Sequence, residues 1–77
     1  MNNKRRKELK ELYFQFQQLQ ERIEAVLEEE QESFENLPEN LQWSENGRKS
    51  EDAIDRLDDC RTDIESIVYN LAEILDY

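Results

Sequence analysis

The chain has 77 residues, a formal net charge of −10 and a composition that is 36% hydrophobic and 39% charged, with one glycine and one proline. This profile is typical of long amphipathic helices and argues against a mixed or all-β domain. The single cysteine excludes an internal disulfide framework, and the absence of histidine excludes the usual Cys/His zinc sites. We therefore expect one all-α domain over residues 1–77, in a reducing cytoplasm.

The N-terminal segment is basic, whereas the rest of the chain is acidic. Residues 1–10 have a charge balance of +4, so residues 11–77 have a balance of −14. The basic residues of the segment are Lys4, Arg5, Arg6, Lys7 and Lys10. No apolar stretch follows them as in a secretory signal, and no apolar run approaches the roughly 20 residues that span a bilayer. We expect no membrane partner, and the acidity disfavours direct nucleic-acid binding outside this segment.

A heptad-like repeat of apolar residues predicts a first helix from about residue 3 to about residue 35. Its predicted core positions are Leu9, Leu12, Phe16, Leu19, Ile23 and Val26, with Tyr13 and Leu27 beside them. The helix ends in an acidic run that comprises Glu28, Glu29, Glu30, Glu32 and Glu35. We interpret the aromatic group of Tyr13, Phe14 and Phe16 as core plus a hydrophobic surface edge rather than as a base-stacking platform.

Residues 36–44 form the predicted connector, because Pro38 cannot continue a helix and restricts Leu37 before it. Pro38 could instead open a short turn with Asn36 as its cap. The apolar residues at this end are expected to form a hydrophobic plug, and they are Phe34, Leu37, Leu41 and Trp43. The alternative interpretation makes Trp43 an exposed binding side chain.

The same repeat predicts a second helix from about residue 45 to about residue 76, with Ser44 preferred over Ser50 as its N-cap. Its predicted core positions are Ala53, Leu57, Cys60, Ile64, Ile67, Leu71 and Ile74, widened by Ile54, Val68 and Leu75. Cys60 is expected to be a small buried hydrophobe, and a symmetric intermolecular disulfide is the less favoured alternative.

A connector this short predicts an antiparallel two-helix hairpin that is roughly 45 Å long. The basic N-terminal segment then lies beside Glu73 and Asp76, and we favour charge pairing there over contact with phosphate or an anionic membrane. The apolar stripe of the second helix is broader than one neighbouring helix needs. This surplus predicts either a homodimer packed as a four-helix bundle or a groove on the target, and we favour the dimer.

The second helix also has a row of carboxylates on its outer face, which comprises Asp52, Asp55, Asp59 and Asp63. Like charges three or four residues apart destabilise a helix by about 0.2–0.5 kcal/mol per pair. Such a row could imitate the phosphates of nucleic acid and occupy a cationic groove on a partner, and the alternative is a solvated face. The predicted partner-binding residues are these four aspartates together with Glu28, Glu32, Glu35 and Trp43.

No catalytic, cofactor or metal site is predicted. Carboxylate metal sites in helical bundles normally combine inward-facing Glu with Glu-x-x-His, and this chain has no histidine and a predicted apolar core. Calcium loops of the Asp-x-Asp-x-Asp-Gly type and phosphate-binding glycine loops are absent from the sequence. We therefore expect a binding protein rather than an enzyme.

The connector and its flanks, over residues 29–42, 44–47 and 53–55, resemble a group of small acidic helical-hairpin proteins of bacteriophages and mobile elements of Gram-positive bacteria. Those proteins share an aromatic-acid-Asn-Leu-Pro-Glu-x-Leu-Gln connector followed by Ser-Glu-x-Gly. The match covers about residues 28–57, with Phe34 where a tyrosine is common. The family has no assigned catalytic residues. The resemblance implies a phage or mobile-element protein in a bacterial cytoplasm, and such small proteins often inhibit a host enzyme or a defence complex, including CRISPR effectors.

Four functional hypotheses remain, and we rank them in the order given. The first is a dimeric interaction protein that binds and inhibits a nucleic-acid-handling host protein, in the manner of a DNA mimic. The second is a structural or regulatory coiled-coil accessory subunit. The third is an enzyme, and the fourth is nucleic-acid binding through the basic N-terminal segment.

Overall fold

The computed structural model describes the whole chain, residues 1–77, and contains helices but no strand. Helix α1 spans Asn3–Glu35, helix α2 spans Glu39–Gln42 and helix α3 spans Glu45–Leu75. The predicted all-α class is therefore confirmed. The two long helices begin and end within one residue of the predicted positions.

The connector contains the short helix α2, which follows Pro38 as the short turn predicted there, but Asn36 caps the end of α1 and not this turn. The Pro38 carbonyl accepts hydrogen bonds from the backbone amides of Leu41 and Gln42, at 2.8 and 3.1 Å, which closes this single turn. The Gln42 side-chain amide then donates to the carbonyls of Phe34 and Leu37, at 3.3 and 3.1 Å. These bonds fasten α2 to the end of α1 and give the connector a defined shape.

Polar side chains cap the start of both long helices. The Asn2 side chain accepts a hydrogen bond from the Arg5 amide at 2.9 Å, and the Ser44 hydroxyl accepts one from the Gly47 amide at 3.2 Å. Ser44 is thus the N-cap of α3, as predicted. Each cap satisfies one of the amides that have no partner within the first helical turn.

Helices α1 and α3 lie side by side in opposite directions and form a rod with extents of 58 × 15 × 14 Å. At one end, the Arg6 guanidinium donates to the Leu75 carbonyl at 2.7 Å, and we call this the open end. Near the connector, which we call the loop end, the Ser50 hydroxyl donates to the Glu30 carboxylate at 2.6 Å. The rod is longer than the expected 45 Å because the connector and the terminal residues extend beyond the paired helices.

The residues of each long helix that face the other one form two parallel rows, which we call the inner rows. In α1 they are Arg6, Leu9, Tyr13, Phe16, Gln20, Ile23, Leu27, Glu30 and Phe34. In α3 they are Gly47, Ser50, Ile54, Leu57, Arg61, Ile64, Val68, Leu71 and Leu75. All of these residues are buried or half-buried, and both sets alternate in steps of three and four.

The inner rows correct the predicted core. Several predicted core residues are exposed, namely Leu12, Leu19, Val26, Cys60, Ile67 and Ile74. The apolar stripe of each helix is three rows wide, and one neighbouring helix covers only two rows. The helices meet along the rows that contain Leu27 and Leu75, which are the only two buried apolar residues. The prediction of a buried Cys60 was wrong for the same reason.

Gly47 is buried where α3 passes closest to the connector. A Cβ atom at this position would overlap the carbonyl oxygens of Leu41 and Gln42. Glycine therefore allows the first turn of α3 to lie against α2, and this close approach outweighs the weak helix propensity of glycine.

We predict that Gly47→Ala lowers the free energy of unfolding by about 1–3 kcal/mol, because the overlap with backbone atoms cannot be relieved by a rotamer change. Alanine in an open helical position would instead raise it by roughly 1 kcal/mol. Urea denaturation followed by circular dichroism measures the difference. Asn46→Ala is the matched control, since Asn46 is exposed on the same turn and should not be destabilised. A stabilised Gly47→Ala protein would contradict the close packing of α2 on α3.

Candidate functional site

The net charge of the chain lies entirely in one half of the rod. Residues 20–60 contain fourteen acidic and four basic residues, a balance of −10. Residues 1–19 and residues 61–77 have balances of +3 and −3, which cancel. Because the helices run in opposite directions, residues 20–60 form the half of the rod next to the connector, which we call the loop-end half. The electrostatic field is therefore strongest around the loop end.

The four predicted aspartates lie in this region or at its boundary, and all are exposed. None of them forms an ion pair, since the three ion pairs of the structure are Arg6–Asp76, Lys49–Glu45 and Arg61–Asp58. The carboxylates of Asp52, Asp55, Asp59 and Asp63 are thus available to a partner.

The predicted acidic residues of α1 are Glu28, Glu32 and Glu35, and they are exposed as well. They do not join the aspartates on a single surface. Glu32 and Asp59 each lie opposite the inner rows of their own helix, so they point away from each other. The structure therefore places Glu32 and Asp59 on opposite sides of the rod, whereas Glu28 lies on a flank between the two helices.

The loop end exposes its largest side chain. Trp43 is 70% exposed and Leu41 is 45% exposed, whereas Phe34 and Leu37 are half-buried. The predicted hydrophobic plug is thus correct for Phe34 and Leu37 and wrong for the other two residues. Trp43 borders a shallow depression of about 210 Å³ that also includes Phe34, Gln42 and Glu51. An exposed tryptophan beside a depression is a suitable anchor for a protein partner.

Arg61 occupies an inner-row position of α3 that the sequence pattern did not reveal, but its side chain is 39% exposed and pairs within its own helix. Its guanidinium donates to one oxygen of Asp58 from Nη2 at 2.6 Å and from Nε at 3.1 Å. The hydrogen bond that Arg61 donates to Asp58, and then the charges of Asp58, Glu65 and Glu24, raise the pKa of Arg61 above its ordinary value. The spacing of seven from both Ile54 and Val68 is the signal that could have identified this inner-row position.

A shallow depression of about 250 Å³ surrounds Arg61, and it is lined by Glu24, Leu27, Glu28, Gln31, Asp58 and Arg61. It shows that Glu24 of α1 and Asp58 of α3 lie on the same flank of the rod. We call this the polar flank. Every buried side-chain nitrogen and oxygen of the chain has a hydrogen-bond partner, so no unsatisfied group points into the depression.

The basic N-terminal segment is partly used within the chain. Arg6 donates to the Leu75 carbonyl, and its Nη2 lies 4.0 Å from a carboxylate oxygen of Asp76. The predicted pairing with the C-terminus of α3 is therefore confirmed for Arg6. Lys4, Arg5 and Lys7 are exposed and form no ion pair.

No group of three or more cysteine and carboxylate side chains is arranged to hold a metal ion. No helix is both long enough and apolar enough to cross a bilayer. Comparisons with known protein families, with curated proteins and with solved structures find no match for this chain. The candidate sites are therefore the surfaces described above: the aspartate row, the glutamates of α1 and the Trp43 end.

Proposed function

We propose that this chain is a non-catalytic interaction protein of a phage or mobile element that binds and inhibits a host protein. The target is a nucleic-acid-handling defence factor, such as a CRISPR effector. One observation is the main support for this proposal. The entire net charge of −10 lies in the loop-end half, and the same half exposes Trp43.

The aspartate row supports a cationic target. It spans residues 52–63, which is about 16 Å of helix, so neighbouring carboxylates are spaced on average roughly 5.5 Å along the helix axis. A DNA strand has one charge per about 3.4 Å, so the row is sparser than a phosphate backbone. Charge density alone therefore gives less attraction than DNA does. Bidentate pairing of carboxylates with arginine supplies additional strength and fixes the geometry of the contact.

Trp43 supplies the second component of the proposed interface. Interfaces derive most of their affinity from a few large side chains that become fully desolvated, and tryptophan is prominent among them. The acidic surface would increase the association rate with a basic target, and Trp43 would slow dissociation. This division distinguishes the proposed complex from a purely electrostatic one.

We further propose that α1 and α3 act as one antiparallel hairpin and that two hairpins associate as a four-helix bundle. The exposed apolar residues on both long helices support this arrangement, since a second hairpin would cover them. The resemblance of the connector to phage hairpin proteins supports the phage or mobile-element source. It also supports residence in the cytoplasm of a bacterial host.

The rival function is a structural or regulatory coiled-coil subunit with no inhibitory role. The exposed apolar residues fit that function equally well. The unpaired aspartates and Trp43 favour the inhibitor, because a purely structural bundle gains nothing from either. Variants of these residues therefore separate the two functions.

We predict that neutralising the aspartate row, with all four residues changed to Asn, weakens binding of the target at least about 10-fold, because arginine–carboxylate pairs are lost. The target is first captured from a Gram-positive bacterial lysate at low salt and identified by mass spectrometry. Its affinity for both proteins is then measured by biolayer interferometry at several salt concentrations and in competition with DNA.

The matched control changes four exposed acidic residues outside the row to Gln, namely Glu11, Glu21, Glu65 and Glu73. This control has the same net charge as the row variant and should keep most of the affinity. Equal losses in the two variants would show that only net charge matters. Wild-type affinity in the row variant would contradict a role for the aspartates.

We predict that Trp43→Ala weakens the same complex about 10- to 30-fold while leaving the free energy of unfolding within about 0.5 kcal/mol of wild type. The reason is that Trp43 is 70% exposed and contributes little to the folded chain. Tyr69→Ala is the control, since Tyr69 is 64% exposed but lies near the open end. An unchanged affinity in Trp43→Ala would remove the loop end from the interface.

A further inference from the structure

We infer that a second copy of this chain covers one flank of the rod in antiparallel orientation, with the loop end of each copy at the open end of the other. In this arrangement α1 lies on α1 of the second copy, and α3 lies on α3. The inference rests on the dimer proposed above and specifies its surface and its orientation. It would leave Asp52, Asp55, Asp59 and Trp43 accessible, whereas Asp63 borders the covered flank, four residues before Ile67.

The flank in question is apolar over residues 12–26 of α1 and residues 60–74 of α3. Its exposed residues are seven apart in each helix, and they are Leu12, Leu19 and Val26 in α1 and Cys60, Ile67 and Ile74 in α3. We call them the apolar face. In α1 the apolar residues lie on one side of the inner rows and Glu24 lies on the other side. In α3 the apolar residues likewise lie on one side of the inner rows and Asp58 lies on the other. Since Glu24 and Asp58 share the polar flank, the apolar residues of both helices share the opposite one.

The surface area shows that the isolated chain is under-packed. Its accessible surface is 6227 Å², and only Leu27, Gly47 and Leu75 are buried. A folded monomer of 9.4 kDa ordinarily exposes about 5,000 Å². The excess of roughly 1,200 Å² per chain corresponds to the 2,000 Å² or more that obligate homodimers bury in total. A permanent partner of this extent, present whenever the chain is made, is most simply a second copy.

Charge selects the antiparallel orientation. When the copies are antiparallel, each loop-end half, at −10, lies beside an open-end half whose charges cancel. Within α1, residues 3–19 have a balance of +3 and residues 20–35 have −6, so the two copies of α1 attract each other. The parallel orientation instead places two halves of −10 side by side. Repulsion at that distance is only partly screened, since the Debye length is about 8 Å at physiological salt.

The spacing of the apolar face fits a two-fold axis near its middle. In α1 the triad is centred on Leu19, so Leu19 meets its own copy and Leu12 meets Val26 of the second copy. In α3, half-buried Ala53 continues the row of Cys60, Ile67 and Ile74 toward the loop end, and these four residues are centred between Cys60 and Ile67. Given that Arg6 contacts Leu75 and Glu30 contacts Ser50, the two centres lie at the same level to within about half a helical turn.

The position of Cys60 follows from the same geometry. With the axis at the level of Leu19, which the Arg6–Leu75 and Glu30–Ser50 contacts place opposite residues 61–62 of α3, each Cys60 lies one to two residues from the axis, so the two copies are roughly 3–6 Å apart along the helices. Disulfides require Cα atoms within about 7 Å. The antiparallel dimer therefore places Cys60 near its own copy, and the cross-linking test below uses a background without Cys60 for this reason.

The orientation also determines how the dimer presents its binding surfaces. The two loop ends, each with Trp43, lie at opposite ends of a bundle that is close to the 58 Å length of the single rod. Two identical acidic sites facing opposite ways allow one dimer to bind two copies of a cationic target. A parallel dimer would instead place both sites at one end.

Cysteine cross-linking at the two-fold axis tests this inference. In a Cys60→Ala background, Leu19→Cys is expected to form a disulfide-linked dimer on mild oxidation at micromolar concentration. The double variant Leu12→Cys, Val26→Cys is expected to do the same, whereas Leu12→Cys alone and Phe14→Cys are not. Phe14 is the matched control because it is exposed on α1 outside the apolar face.

Sedimentation equilibrium supplies an independent measure. Leu19→Glu is expected to weaken the dimer at least about 100-fold, and Phe14→Glu is expected to leave it intact. If the wild type is dimeric but the Leu19→Cys variant does not cross-link, the proposed antiparallel orientation is wrong and the dimer itself stands. A monomeric wild type would overturn both, and if that monomer still bound the captured target, the inhibitory function would stand without the dimer.

Discussion

The width of the apolar stripe on α1 and α3 is the constraint on which the rest of the structure depends. A helix that meets one neighbour buries two rows of side chains, and these helices have three apolar rows each. The pair closes over the rows that contain Leu27 and Leu75 and leaves Leu19 and Ile67 exposed. The fold is therefore complete in its backbone hydrogen bonds and helix caps while its hydrophobic core remains open on one side. The excess accessible surface of the chain reflects this open core, and we propose that a second copy covers it.

Charge has a different distribution from hydrophobicity, and the two together give the rod its polarity. The apolar face covers the middle of the rod and its open-end part, whereas the acidic excess lies around the loop end. An interface built on the apolar face is free to form in either direction, and the charge gradient along α1 selects one of them. The same acidic excess remains on the outer surfaces after pairing. We thus propose that the apolar face determines the assembly, and that the charge distribution determines the orientation of the copies and the choice of target.

Helix positions were predictable from the sequence because several local signals agree. The apolar repeat, Pro38 and the Ser44 cap indicate the same boundaries, and the structure has them within one residue. The rotation of the helices was not predictable, since a stripe three rows wide allows two choices of facing rows. Arg61 and Glu30 sit in the chosen rows although polarity alone would exclude them, and Trp43 is exposed although its size suggests burial. The rotation of the helices and the exposure of Trp43 depend on contacts between distant parts of the chain, and the periodicity of the sequence does not encode such contacts.

The concentration dependence of thermal unfolding tests most directly whether a second copy completes the core. The melting temperature of the wild-type chain is measured by circular dichroism from about 1 to 100 μM. If folding and dimerisation are linked, the melting temperature should rise by roughly 5–10 °C over this range, because the associated state is favoured by mass action. A cooperative transition with the same melting temperature at every concentration would show that the single chain is stable alone, and it would contradict the account.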